Sequence, residues 1–291
     1  MEPLDPKIDL AFKALFGREE NKDLLGSLLS AILQPEEPIE EIEILNPYGP
    51  IDSAGEKVSI LDLRVRDRTG RRYAIEMQCR SQPAFTERIL YYAARLVDTQ
   101  LGRGQPYSDL KPVVVIVFTS HVLLGELAEY HNVFELWDSK GRKRFTGHLR
   151  IDLVELPKFD KRPEEVRTLE EQWVAFLKEG HRMKSEVLTT WAPEIARARE
   201  ELERLSADPA LREQYDDRIR ALRDYVSDIE GSFRQGVEQG IEQGIEQGIQ
   251  TGSHKAAEAC ARRLLGRGFS IEETAELSGL PLRDVQRLAP E

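Results

Sequence analysis

Cysteine is nearly missing from this chain of 291 residues: there are two, Cys79 and Cys260. Two thiols so far apart provide neither a disulfide framework nor a zinc cluster. Long apolar runs are missing as well. None approaches the ~18 residues of a membrane span, so no membrane partner is expected. The opening MEPLDPKIDL lacks the basic-then-apolar order of a secretory signal, and a cytoplasmic location is expected. Histidines 121, 131, 148, 181 and 254 are scattered without an HxxxH or HxH pair, so none is assigned to a metal. There is no GxxxxGK[ST] phosphate loop and no GxSxG elbow, which removes the commonest nucleotide-binding and acyl-transfer chemistries. Basic residues are in deficit, 41 against 52 acidic, for a net charge of −11. That balance argues against a surface coated in nonspecific nucleic-acid contacts but leaves room for a local basic groove.

Periodicity organises what is present. "DLAFKALFG" reads as a short helix from Asp9, stopped near Gly17 by a left-handed glycine. Leu24, Leu25, Leu28, Leu29, Ile32 and Leu33 recur at helical spacing, and Pro35 closes that second helix. "IEEIEIL" alternates as a strand. "VSILDLRVR" and "RYAIEMQC" are two more strands flanking the turn "DRTG", in which glycine can supply a positive φ. "AFTERILYYAARLVDTQL" is helical, and "PVVVIVFTS" is a β-branched run suited to a strand buried on both faces. Strand-like segments near 132–137 and 149–156 flank the turn "SKGRK". Beyond about residue 163 the sequence becomes charged and helical. The expected organisation is an α/β domain at 1–162, a charged helical region at 163–232, a Gly-x-x-x helix or linker at 233–253, and a small three-helix tail at 254–291.

The hairpin holds the candidate site. In a strand, successive side chains alternate faces. Tyr73, Ile75, Met77 and Cys79 therefore share one face, and Glu76 and Gln78 the other. On the preceding strand Val58, Ile60, Asp62, Arg64 and Arg66 share a side, while Ser59, Leu61, Leu63 and Val65 take the core side. A turn centred on Thr69 pairs residues whose numbers sum to 138, setting Asp62 opposite Glu76 and Ile60 opposite Gln78. Directly opposed Cβ atoms lie only ~4.5–5.5 Å apart, where like charges repel. A divalent cation between the carboxylates would resolve that, as would a shared proton or side chains splayed into water.

The pattern Asp62 … Glu76-Met77-Gln78 on adjacent strands after an N-terminal helix resembles the PD-(D/E)XK nuclease superfamily. It is closer still to the recombination-promoting nuclease (Rpn) family, also described as PD-(D/E)XK nuclease family transposases. "DLAFKALFG", "LDLRVRDRTGRRYAIEMQ" and "RILYYAARL" carry the resemblance, over roughly the first half of the chain. It implies an α/β fold: a restriction-endonuclease-like αβββαβ core with a mixed central sheet, followed by a mainly helical C-terminal region. It also implies Asp62, Glu76 and Gln78 as the catalytic set, with Asp62, Glu76 and the Met77 backbone carbonyl holding Mg²⁺, or alternatively Mn²⁺. The implied reaction is hydrolysis of DNA phosphodiesters by metal-activated water, with a role in recombination or transposition. The other reading is a catalytically silent scaffold that keeps the fold and binds DNA or protein; a third is an assembly factor acting through its helical tail.

Gln78 departs from the lysine in the superfamily's name. A glutamine amide can orient water but brings no positive charge. Arg80, on the same face if the strand continues, would supply one. Arg64, Arg66, Arg68, Arg71, Arg72 and Arg80 crowd the hairpin. They suit either phosphate contacts, with Arg64, Arg66 and Arg80 as the DNA-binding candidates, or neutralisation of Asp62, Glu76 and Asp67. Tyr91 and Tyr92 read as core packing with hydroxyls at the rim.

"GVEQGIEQGIEQGIQTG" places glycine at 236, 240, 244, 248 and 252 beside Val237, Ile241, Ile245 and Ile249. Five interior helical glycines cost ~5 kcal/mol relative to alanine. Close packing on a second helix, such as another copy in a homo-oligomer, would compensate; a flexible linker is the alternative. In the tail, Ser270 and Glu273 form a capping box and "SGLP" a turn, resembling a helix-turn-helix with Arg283, Gln286 and Arg287 forward. Residues 254–291 hold six Lys/Arg and six Asp/Glu, so the electrostatic footprint of a DNA reader is missing.

Overall fold

The computed structural model describes residues 2–36, 39–45 and 63–289. Its chain divides into two compact units, Met1–Arg218 and Ile219–Glu291.

The first unit opens with α1 (Asp9–Phe16) and α2 (Lys22–Leu33). The end of α1 corrects one expectation: Gly17 has φ −91° and is not left-handed. The left-handed residue is Gln34, φ 44°, after the last turn of α2 and just before Pro35. There follow β1 (Glu43–Ile44), β2 (Leu63–Arg66) and β3 (Arg72–Gln78), then α3 (Phe85–Asp98), β4 (Val113–Thr119), β5 (His131–Glu135) and β6 (Leu149–Glu155). The six strands form one mixed sheet ordered β1-β2-β3-β4-β6-β5. β1, β2 and β3 are antiparallel, β3, β4 and β6 parallel, and β5 returns antiparallel on the edge. This is the expected α/β architecture, consistent with a restriction-endonuclease-like fold.

Both faces of the central strands are covered, as the apolar run of β4 requires; all seven of its residues are buried. α3 lies over one face, with Phe85, Ile89, Ala93 and Leu96 packing on Ala74, Val113, Val115, Val117 and Leu153. On the other face Phe118 meets Phe12 of α1 at 6.1 Å between ring centroids. A chain of rings continues through Phe16 to Trp173 and Phe176 of α4 (Leu169–Glu179). α5 (Ser185–Leu188) leads to α6 (Pro193–Ser206), whose Ile195, Ala198, Leu202 and Leu205 are buried.

α7 (Pro209–Leu265) is a single helix of 57 residues that contains the whole glycine ladder. Among the described residues, nothing beyond the helix's own nearby backbone comes within 4 Å of where a side chain would start at Gly236, Gly240, Gly244, Gly248 or Gly252. In the second unit, the end of α7 packs with α8 (Ile271–Ser278) and α9 (Leu282–Leu288) around Ala261, Leu280 and Val285. The Ser270–Glu273 capping box is formed, and Gly279 makes the turn at φ 72°.

Candidate active site on the central sheet

The β2–β3 hairpin turns through Gly70, whose φ of 85° suits glycine. Asp67 organises that turn, accepting from the Thr69 and Arg71 amides, the Thr69 hydroxyl and, at 2.7 Å, the Tyr73 hydroxyl. Burial, followed by this bond to Asp67, pushes the Tyr73 phenol well above its ordinary range. Asp67 is thus spent on the turn. The resulting register pairs Leu63 with Ile75, Arg64 with Ala74, Val65 with Tyr73 and Arg66 with Arg72. Every one of those pairs sums to 138, as the sequence required. Asp62, the expected partner of Glu76, lies outside the described residues, as do Ile60 and the rest of 46–62.

Glu76 and Gln78 share the face of Ala74, the one covered by α3. Neither is solvated: Glu76 is 6% exposed and Gln78 8%. A buried carboxylate needs charge compensation, and α3 supplies it. Arg88, in the second turn of α3, places Nη2 2.7 Å from Glu76 Oε1 and 2.9 Å from Gln78 Oε1. Its Nη1 donates to the Gln82 side chain. The guanidinium sits 4.8 Å from the Phe85 ring centroid and 5.8 Å from that of Tyr92, so two rings at i−3 and i+4 steady it. Tyr92 packs against the core beside it, while Tyr91 is half exposed.

The Gln78 amide is fixed by chemistry. A guanidinium only donates, so the atom facing Arg88 is the oxygen. Nε2 then donates to the Arg80 carbonyl at 2.5 Å. Arg80 itself lies past the end of β3, which stops at Gln78, so the condition placing it on the strand face is not met. Among the described residues, Arg88 is a cation paired with Glu76. Arg88 opens the stretch RILYYAARL, and the only sign of its role in the sequence is its place between Phe85 and Tyr92, three residues before and four after.

Of the other hairpin arginines, Arg66 pairs with Glu43 and Arg68 with Glu40. Arg64, Arg66 and Arg72 fall on one face by register. Burial and the charges of Arg66 and Arg64 lower the Arg72 guanidinium below its usual value, a mark of crowded positive charge.

The donors present suit a hard divalent cation. Glu76 offers a buried carboxylate, Met77 a backbone carbonyl and Gln78 an amide oxygen, with no imidazole or thiolate among these donors. Among the described residues no group of three His, Cys, Asp or Glu side chains could hold a metal. No helix among the described residues is long and apolar enough to cross a membrane.

No curated protein and no solved structure matches the chain. A family model does: it spans residues 6–232, from before α1 to within α7, and takes in the sheet, Glu76, Gln78 and Arg88. The chain belongs to the PD-(D/E)XK nuclease family transposases.

Proposed function

We propose that this protein is a divalent-metal-dependent DNA endonuclease that hydrolyses phosphodiester bonds. The observation that carries the reading is a buried glutamate on the central strand of a nuclease-family sheet, followed two residues later by a glutamine on the same face. Asp62 enters through the pairing rule, which assigns it to Glu76 one step beyond the pair Leu63–Ile75. Asp62, Glu76 and the Met77 carbonyl would hold Mg²⁺ or Mn²⁺. When bound, such a cation supplies Lewis acidity, lowering the pKa of water and offsetting charge on the phosphate oxygens.

The chain's own residues do the rest. Gln78, with Oε1 held by Arg88 and one N–H by the Arg80 carbonyl, keeps a second N–H and a lone pair with which to orient water. Arg64 and Arg66, joined by Arg72, face the backbone of a duplex, and Arg80 stands beyond the strand end; phosphate contacts of this kind position DNA without reading its sequence. Family membership supports a place in recombination or transposition, and a cytoplasmic setting is part of the same proposal. The glycine-repeat part of α7 supports self-association: Phe233, Val237, Ile241, Ile245 and Ile249, spaced by four, are all exposed.

The test is nicking of supercoiled plasmid with Mg²⁺ and with EDTA, alongside Asp62→Ala and Glu76→Ala. Metal-dependent nicking lost in both variants supports the enzyme. A second reading, a silent scaffold that binds DNA or protein, is favoured by Gln78 standing where lysine is expected; identical traces from all three proteins would select it.

A further inference from the structure

Resting on that reading, we infer that Arg88 is the positive charge of the active site, delivered from α3 in place of the lysine that position 78 lacks, and that it contacts the scissile phosphate once a cation takes over Glu76.

Three observations converge on Arg88. First, its Nη2 bridges Glu76 and Gln78, side chains two apart on one strand face, so the guanidinium occupies the space between the carboxylate and the catalytic amide. Second, Lys7, whose carbonyl meets Cys79 just past β3, has its Nζ committed to the Lys178 carbonyl and Asp5, and Arg80 lies beyond the strand end. Third, Arg88 retains capacity to change partners. Its side chain is 28% exposed against 8% for Glu76, and its Nε is buried without a hydrogen-bond acceptor among the described residues. An arginine held by two aromatic rings but short of one acceptor is oriented before its partner arrives.

The charges set the order of events. With Glu76 neutralised by Arg88, a dication and the guanidinium compete for one carboxylate. With a cation bound at Glu76 the pair would weaken, leaving the Arg88 fork, which matches two phosphate oxygens, free to meet the substrate. A purely structural ion pair would simply close the gap between β3 and α3.

The variants that separate these roles are Arg88→Ala, Arg88→Lys and the double variant Gln78→Lys/Arg88→Ala. Each is read by plasmid nicking and by calorimetric titration with Ca²⁺ alone. Arg88→Ala is expected to cut about 100-fold more slowly, the usual cost of removing one charge-stabilising donor. It is also expected to bind Ca²⁺ about fivefold more tightly, because a like charge beside Glu76 is gone. Arg88→Lys keeps the charge and should retain intermediate cleavage even where the alanine variant folds poorly. Returning the charge to the strand in Gln78→Lys/Arg88→Ala should recover about tenfold or more over Arg88→Ala. Cleavage by Arg88→Ala near the wild-type rate, or no rescue by the strand lysine, overturns the assignment. Should the wild type cut nothing under any condition, the endonuclease reading fails by itself. Unchanged Ca²⁺ affinity in Arg88→Ala then removes the proposed competition at Glu76 as well.

Discussion

His131 Nε2, at the start of the edge strand β5, lies 3.0 Å from Asp152 Oδ1. Nδ1 meets Glu170 Oε1 at 2.9 Å, and Arg150 closes on Asp152 through two bonds of 2.7 and 2.6 Å. Burial alone would lower the imidazole, but the hydrogen bonds it donates to Asp152 and Glu170 outweigh it and raise its pKa to about 9. The folded value lies above the unfolded one of ~6.5, so the stabilisation is complete below about pH 6.5 and is lost as pH rises through 9. Urea midpoints should therefore fall between pH 7 and pH 10 by the equivalent of roughly 2–3 kcal/mol. In His131→Gln that pH dependence should flatten.

The hairpin register rests on another buried pair. Tyr73→Phe removes the donor to Asp67 Oδ2 and leaves a carboxylate oxygen short of a partner in a residue 8% exposed. The expected cost is about 1–3 kcal/mol in chemical denaturation. Plasmid nicking should stay within a few-fold of wild type, since the main-chain ladder still sets the faces. A far larger loss of nicking than of stability would mean that the hydroxyl does more than hold the turn.

What could be read from the residues divides along the range of the interactions. The hairpin register is local: four turn residues and strict alternation decide it, and the observed pairs obey the sum of 138. The two-sided burial of β4 was visible because six consecutive apolar residues, Val113 to Phe118, leave no face for water. Arg88 on Glu76 was not visible, because it joins a strand to the helix packed over it and alternation says nothing about which helix that is. His131 was passed over for the same reason; its carboxylates come from positions 152 and 170 and meet it only through the β5–β6 pairing and α4. Trp173, wholly buried beside Phe16, lies in sequence that reads as merely charged and helical.

Metal binding should be measurable without catalysis. A ligand that binds only the folded state at 100 times its Kd adds about 2.7 kcal/mol. In a domain of this size that raises Tm by about 5–10 °C. Mg²⁺ should produce such a shift in the wild type and none in Asp62→Ala or Glu76→Ala, each compared with itself in EDTA. Equal shifts in all three proteins would mean that the cation binds elsewhere.

Phosphate contacts leave a salt signature. If Arg64 and Arg66 each neutralise one phosphate, Arg64→Ala/Arg66→Ala should reduce the slope of log affinity against log salt by about 2, uniformly across DNA sequences. Arg66 also pairs with Glu43 at 2.5 Å, so its share should be the smaller one. Fluorescence anisotropy with a labelled duplex in EDTA, at several salt concentrations, separates this from catalysis. An unchanged slope would confine both arginines to the fold.

The glycine ladder makes the sharpest demand on assembly. α7 runs unbroken through five glycines spaced by four, which cost ~5 kcal/mol as interior helix positions. Beside them Ile241, Ile245 and Ile249 are 58%, 58% and 64% exposed. A helix that carries both penalties persists when its smooth side admits a second backbone and the isoleucines close over it. A second copy offers the same pairing of groove and ridge. Ile241→Asp/Ile245→Asp should therefore shift the sedimentation coefficient from oligomer to monomer and lower helicity at 222 nm. Gly244→Leu should do the first but not the second, because leucine blocks close approach yet favours the helix by about 1 kcal/mol. A wild-type chain that sediments as a monomer at every concentration would leave those glycines without compensation and end the case for self-association.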